Sequence, residues 1–187
     1  DLDGVIRDAH TLGATHVVNA WIPHTGPFTL ELCKQAAANY NQWGKKLRAA
    51  GLRFAHHNHD YEFQPYHGHP LYDVLVKDTN PEYVNFEMDV FWVVAAGLSP
   101  VALMRRYPTR IRLLHLKDMR KGPPEHDYRV SIPVNWDVPL GTGRVNWPAV
   151  LSEAEKIGVA QYFVEDESDR ARKQIIQSRH YLKTVRI

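Results

Sequence analysis

The chain has 187 residues, enough for one domain with a sizeable core, and its 44% hydrophobic and 24% charged content is ordinary for a globular protein. A formal net charge of +2, with no block of Lys or Arg, leaves no electrostatic footprint for non-specific binding to nucleic acid or to a membrane surface. No apolar run approaches a membrane span, no signal peptide opens the chain, and the lone Cys33 cannot form an internal disulfide, which fits a reducing, cytoplasmic setting.

Residues 4–12 read as a short helix with Val5, Ile6 and Ala9 inward and Gly13 just past its end. Thr15–Ile22 reads as a buried strand, and Pro23, Gly26 and Pro27 punctuate the loop after it. Thr29 caps a helix in which Leu32, Ala36, Tyr40, Trp43 and Leu47 share one face, and Gly51 ends it. Leu52–His59 is the next strand, followed by a polar loop to about residue 69. A short helix over Pro70–Asp78, broken at Asn80–Pro81, precedes a strand at Val84–Asp89. Ser99 and Pro100 open another helix, because Ser caps and Pro loses nothing at the first turn. Ile111–Lys117 is again a strand. Residues 118–145 are rich in Pro and Gly and read as an active-site loop with at most a short strand near 137–140. Asn146 caps a helix stopped by Gly158, residues 160–165 form the last clear strand, and a charged helix from Asp169 to about Leu182 closes the chain.

Alternating helix and strand with short links implies a parallel sheet with helices outside it. An eight-fold barrel takes about 250 residues. This chain supplies about six strand–helix units, so the expected class is α/β, a (β/α)8 TIM-barrel type lacking two units. Because the chain opens on a helix, the absent units are expected at the N-terminus. Sheet edges left by absent strands would pair with another chain, which puts a homo-oligomer among the expectations.

Four strands close on metal-capable or acid–base side chains: RFAHHNH (53–59), VNFEMD (84–89), IRLLHLK (111–117) and QYFVE (161–165). The candidate ligands are His57, Asp89, His115 and Glu165. Polar groups repeated at the C-terminal ends of parallel strands are the sequence form of a barrel active site. Period two places His57 and His59 on one face of their strand and His56 and Asn58 on the other. The bland readings are that Asp89 only caps a turn, that His115 is a core imidazole between Leu114 and Leu116, and that Glu62 and Lys117 form a salt bridge.

At HHNHDYEF, FEMDVFWVVAAG, LLHLKD, PLGTGRVNW and YFVEDE the sequence resembles the sugar phosphate isomerase/epimerase family, the xylose isomerase-like TIM barrel group. The resemblance implies one partial barrel domain over residues 1–187, holding the third through eighth units. It also implies one divalent ion (Mn²⁺, Mg²⁺ or Zn²⁺) at the barrel mouth, held by Asp89, His115 and Glu165. Many members carry Glu on the fourth strand, where this chain has His56-His57-Asn58-His59, so His57 is the preferred fourth ligand and His59 the next. The implied activity is isomerisation or epimerisation of a sugar or sugar derivative, through proton transfer and a metal-stabilised enediolate. A metal-dependent lyase acting on a keto-sugar or inosose is the nearest rival; a DNA-repair endonuclease and a non-catalytic fragment stand further off. Glu165 is the first candidate for the base, with Glu62 and Lys117 as candidate partners in proton transfer. His59, Trp21, Trp92 and Arg144 are expected to contact a small carbohydrate substrate, Arg144 from a Gly-rich turn before a helix.

Overall fold

The structure is a computed structural model and describes residues 1–122, 128 and 132–187. Helix α1 (Leu2–Thr11) leads into strand β1 (His16–Asn19), helix α2 (Leu30–Ala49) and strand β2 (Arg53–His57). A helical turn (Tyr61–Phe63) and a small ribbon of β3 (Pro65–Tyr66) and β4 (His69–Pro70) precede helix α3 (Leu71–Asp78). Strand β5 (Val84–Asp89) runs directly into helix α4 (Val90–Ala95), and helix α5 (Pro100–Arg106) precedes strand β6 (Ile111–Leu116). The ribbon strands β7 (Asp118–Met119) and β8 (Asp137–Val138) follow, then helix α6 (Trp147–Ile157), strand β9 (Gln161–Val164) and helix α7 (Ala171–Thr184).

Strands β1, β2, β5, β6 and β9 form one parallel sheet in that order, a half-barrel of the expected α/β type. The stretch near 137–140, expected as a sixth barrel strand, instead pairs antiparallel with β7, and β9 lies directly against β6. Between Phe86 and Glu87 the β5–β6 register shifts by one residue, so that Phe86 faces Ile111 but Glu87 faces Leu113. Pro123 and Pro124 of the expected active-site loop lie outside the described residues.

The helices start where their caps demand. Thr29, Ser99 and Asn146 each accept a backbone N–H from the first turn of α2, α5 and α6. Gly158 ends α6 at φ 70°, in the left-handed region that favours glycine. On α2, Ala36, Tyr40 and Leu47 are buried, while Leu32 and Trp43 are half-buried at the margin of the same face. Helix α1 turns Leu2, Ile6 and Ala9 inward, and Val5 is exposed, against expectation. The outer face of the sheet, through Phe54, Phe86, Met88, Leu114 and Leu116, packs on helix residues such as Tyr72, Leu75 and Trp147. Among the described residues, no helix is long and apolar enough to cross a membrane.

Below the barrel mouth, Asp118 organises the chain before α6. Its carboxylate accepts from the amides of Met119, Gly141, Gly143 and Val145 and from the Trp147 indole N–H, at 2.9 to 3.3 Å. A Cβ at Gly143 would sit 2.2 Å from Asp118 Oδ1, so only glycine lets the loop come this close. Replacing Asp118 with Ala strands these donors, and the expected loss is about 3 kcal/mol or more of unfolding free energy, read from urea denaturation.

Candidate metal centre

Alternation along β2 decides which histidine goes where. His56 points to the helix side: Tyr40 Oη lies 2.9 Å from its Nδ1, and Glu62 Oε1 lies 2.8 Å from its Nε2. The second Glu62 oxygen accepts from the His59 amide at 2.9 Å. Glu62 is thus fully buried beneath the end of β2, where the helical turn after Asp60 folds it back. Burial opposes its charge, but His56 and the nearby donors outweigh burial and hold the carboxyl below its usual range. It makes no ion pair with Lys117 and does not line the cleft, so its expected part in proton transfer gives way to a structural one.

The inward face is different. Parallel pairing sets His57 beside Glu87 and Asp89 beside His115. One Glu87 oxygen, Oε2, lies 3.1 Å from His57 Nδ1 and 3.3 Å from His115 Nε2. The other nitrogens, His57 Nε2 and His115 Nδ1, face Asp89 Oδ2 at 3.8 and 3.9 Å. Glu165, one residue past β9, brings Oε2 to 3.3 Å from His115 Nδ1. His57, Asp89 and His115 each offer a ligand atom within 4.8 Å of the others.

Asp89 divides its carboxylate between two tasks. Oδ1 caps α4, accepting from the amides of Phe91 and Trp92 at 2.7 and 3.2 Å. Oδ2 is buried with no hydrogen-bond partner. Burial pushes this carboxyl up, against the pull of His57, Lys117 and His115. An orphaned anionic oxygen in a protein interior is costly unless a cation meets it. Ligand atoms about 2 Å from a shared ion lie roughly 3 to 4 Å from one another, and the separations of 3.8 and 3.9 Å from Asp89 Oδ2 to the two imidazoles fit that spacing, while Glu165 stands beside this group, 3.3 Å from His115. The residues present therefore suit a divalent metal.

The surrounding charges are consistent with this. The hydrogen bond from His115 is the main reason that Glu165 is lowered to about 2, with Lys117 adding to it against burial. Burial works against a charge on His115, but Glu165, Asp89 and Glu87 prevail and raise it. Lys117 is buried and meets Glu167, Glu165 at 3.4 Å and Asp137 at 3.6 Å, with its ammonium over the rings of Phe91 and Trp92. Burial raises Asp137 to about 6.

The site opens on a cleft of about 870 Å³ lined by Trp21, His59, Trp92 and Phe163 among others. Trp21 stacks on His24 and sets its edge to His59, and Trp92 lies 5.2 Å from the His59 ring. His59 is lowered to about 4 by burial, and its Nδ1 is buried without a partner. Arg144 is not among the lining residues: it donates to the Gly122 carbonyl at 2.9 Å, and the Gly141 and Gly143 amides are turned to Asp118. The structure thus gathers His57, Asp89, His115, Glu165, Lys117, His59, Trp21 and Trp92, and leaves Glu62 and Arg144 apart. Glu87, Asp137 and Glu167 were not foreseen. Glu87 was within reach, since it lies two residues before Asp89 and shares its face.

The sequence profile of the xylose isomerase-like TIM barrel family matches residues 1–185. The chain belongs to this family. A similar solved structure is a sugar phosphate isomerase/epimerase from Parabacteroides distasonis, with a TM-score of 0.80 and 26% identity, over 98% of this chain and 64% of that one. An inosose dehydratase of Clostridium tetani is 30% identical over 94 residues, 50% of this chain and 31% of the dehydratase. A xylose isomerase-like TIM barrel protein from Mycobacterium smegmatis, in complex with magnesium, has a TM-score of 0.73 over 97% of this chain and 64% of its own length. At 15% identity it is similar in fold alone. The xylose isomerase-like chain therefore spans about two thirds of the solved structures it resembles, and its matched stretch spans about a third of the dehydratase.

Glu62 offers a check on the division between structure and site. Its depressed carboxyl stabilises the fold above the ordinary glutamate pKa of about 4.3, and that contribution disappears as pH falls through the folded value. Glu62→Gln is expected to cost about 1 to 3 kcal/mol at neutral pH. The difference from the unmodified chain should shrink in acid, with metal content unchanged; parallel urea titrations across pH, with elemental analysis, measure both.

Proposed function

We propose that residues 1–187 form one partial barrel domain of a divalent-metal-dependent isomerase or epimerase acting on a sugar or sugar derivative. The observation that carries this reading is the convergence of His57 and His115 on Asp89 Oδ2, a buried oxygen with no hydrogen-bond partner. His57 Nε2, Asp89 Oδ2, His115 Nδ1 and Glu165 Oε2 would hold the ion, and this mixed nitrogen and oxygen set suits Mn²⁺, Mg²⁺ or Zn²⁺. When bound, such an ion supplies Lewis acidity that polarises a carbonyl and stabilises charge on adjacent oxygens.

The side chains do the rest. Trp21 and Trp92 line the cleft beside His59, where an aromatic ring would meet a sugar. Glu165 takes the substrate proton in this reading. In the metal-free site Glu165 is held low chiefly by His115, and an ion on His115 Nδ1 would take the place of that contact. Lys117 is kept charged by Glu167, Glu165 and Asp137, and it places a positive charge and a proton donor beside Glu165. The partner is a small carbohydrate, the setting is cytoplasmic, and β1 and β9 are the sheet edges against which further strands or a second copy would pair.

A second reading, a lyase that removes water from a keto-sugar or inosose, is favoured by the similarity to the Clostridium tetani inosose dehydratase. Both reactions begin by taking a proton next to a carbonyl. Product analysis by NMR over a keto-sugar and inosose panel separates them: a new C=C with loss of water marks the lyase, and inverted or transposed hydroxyls mark the isomerase.

Elemental analysis of the purified chain is expected to find about one divalent ion per molecule, as one tetrahedral or octahedral site requires. Asp89→Ala and His115→Ala should each remove it. Glu165→Gln should lower turnover by about 10²- to 10⁴-fold, the range for a lost acid–base group. Unchanged metal content in both ligand variants would overturn the assignment.

A further inference from the structure

Among the described residues, the polar group closest to both imidazoles that the ligand set leaves unused is Glu87. Its side chain is buried between His57 and His115, with only 4% of its surface exposed. Oε2 meets Nδ1 of one ring at 3.1 Å and Nε2 of the other at 3.3 Å. Each ring thereby turns its opposite nitrogen to Asp89 Oδ2, at 3.8 and 3.9 Å. The two histidines present different atoms to the same point, Nε2 from His57 and Nδ1 from His115. Nothing in an isolated imidazole selects that mixed arrangement, because the neutral ring can carry its proton on either nitrogen. A carboxylate oxygen hydrogen-bonded to His57 Nδ1 and set 3.3 Å from His115 Nε2 favours it, in competition with Glu165, which meets His115 through Nδ1 in the metal-free site.

We propose that Glu87 is a positioning residue that fixes the tautomer and the orientation of both His57 and His115 for metal binding. This rests on the metal-dependent reading above and adds to it the residue that prepares the site. Glu87 is not itself placed as a ligand, since its Oε2 meets the ring nitrogens opposite to those that face Asp89 Oδ2. His57 Nδ1 and His115 Nε2 flank Glu87 Oε2 at 3.1 and 3.3 Å. A carboxylate behind a metal-bound histidine raises the basicity of the ring and holds its plane. Here one carboxylate serves two rings on neighbouring strands, because β5 lies between β2 and β6 in the sheet.

The test uses zinc, which is diamagnetic. In the zinc-loaded unmodified chain, long-range ¹H–¹⁵N correlation spectra should show His57 carrying its proton on Nδ1 and His115 carrying its proton on Nε2. Glu87→Gln and Glu87→Asp should weaken zinc affinity by calorimetry, with the Gln variant expected to lose about 10- to 100-fold, as is typical when the partner behind a metal-bound histidine is removed. In either variant at least one ring should show mixed tautomers in the metal-free state. If the unmodified chain takes up no zinc or manganese, this inference fails together with the metal-dependent reading. If it takes up metal through His57 Nδ1 or His115 Nε2, or if both variants bind zinc as tightly as the unmodified chain, only the role of Glu87 is overturned. Where a variant does not fold, the metal-free spectrum of the unmodified chain tests the inference: His57 should carry its proton on Nδ1 before any ion is added, and a mixture of tautomers there would overturn it.

Discussion

The Asp89 carboxylate is where the fold and the site are joined. One oxygen starts helix α4 directly from the end of strand β5, and the other is left facing two imidazoles in a buried position. A helix that begins without a connecting loop fixes the carboxylate by its own backbone amides. The aspartate therefore cannot swing away to relieve its unpartnered oxygen. The local cost of that oxygen is met by the packing of β5, whose outward residues Phe86 and Met88 are completely buried. A carboxylate fixed by its own helix, with an imidazole held on each flank, is an arrangement suited to a cation.

The sheet separates two chemistries by alternation alone. Outward positions on β5 and β6 are filled with apolar side chains that bind the helices, and inward positions carry Glu87, Asp89, His115 and, just beyond the strand, Lys117. Strand β2 departs from this rule. Its outward His56 is polar, and a chain of contacts from Tyr40 through His56 to Glu62 satisfies it inside the helix layer. That chain ends on the His59 amide, so a polar network on the far side of the strand sets the direction in which His59 enters the cleft.

Much of this was legible from residue order. Period two along residues 53–59 separated His57 from His56, and strands that end in His, Asp and Glu announced a shared mouth. Caps at Thr29, Ser99 and Asn146 marked helix starts because a short polar side chain before an apolar run has few other uses there. Other features were hidden for physical reasons. Helix α4 has no punctuation before it, since its cap is the same aspartate that ends the strand. Glu62 looked like a site residue because sequence proximity to His59 does not reveal a turn that folds it to the other face. The partners of Lys117, Asp137 and Glu167, lie 20 and 50 residues away; the β7–β8 ribbon brings the first near, and the pairing of β9 on β6 brings the second. The stretch near 137–140 had the composition of a strand, but two residues of antiparallel pairing to β7 satisfied it instead.

The slip in pairing between β5 and β6 leaves Arg112 as the residue without a counterpart on β5. If pairing ran on unbroken from Phe86 and Ile111, Leu114 would stand opposite Asp89, and His115 would be turned toward the helices. The bulge that sets Arg112 aside thus places an imidazole, not a leucine, opposite Asp89. The ladder is tolerant of loss but not of regularity here: removing Arg112 would let Leu113, Leu114 and His115 follow Ile111 without a break and still meet Glu87, Met88 and Asp89, whereas keeping Arg112 and flattening the bulge would turn His115 away from Asp89.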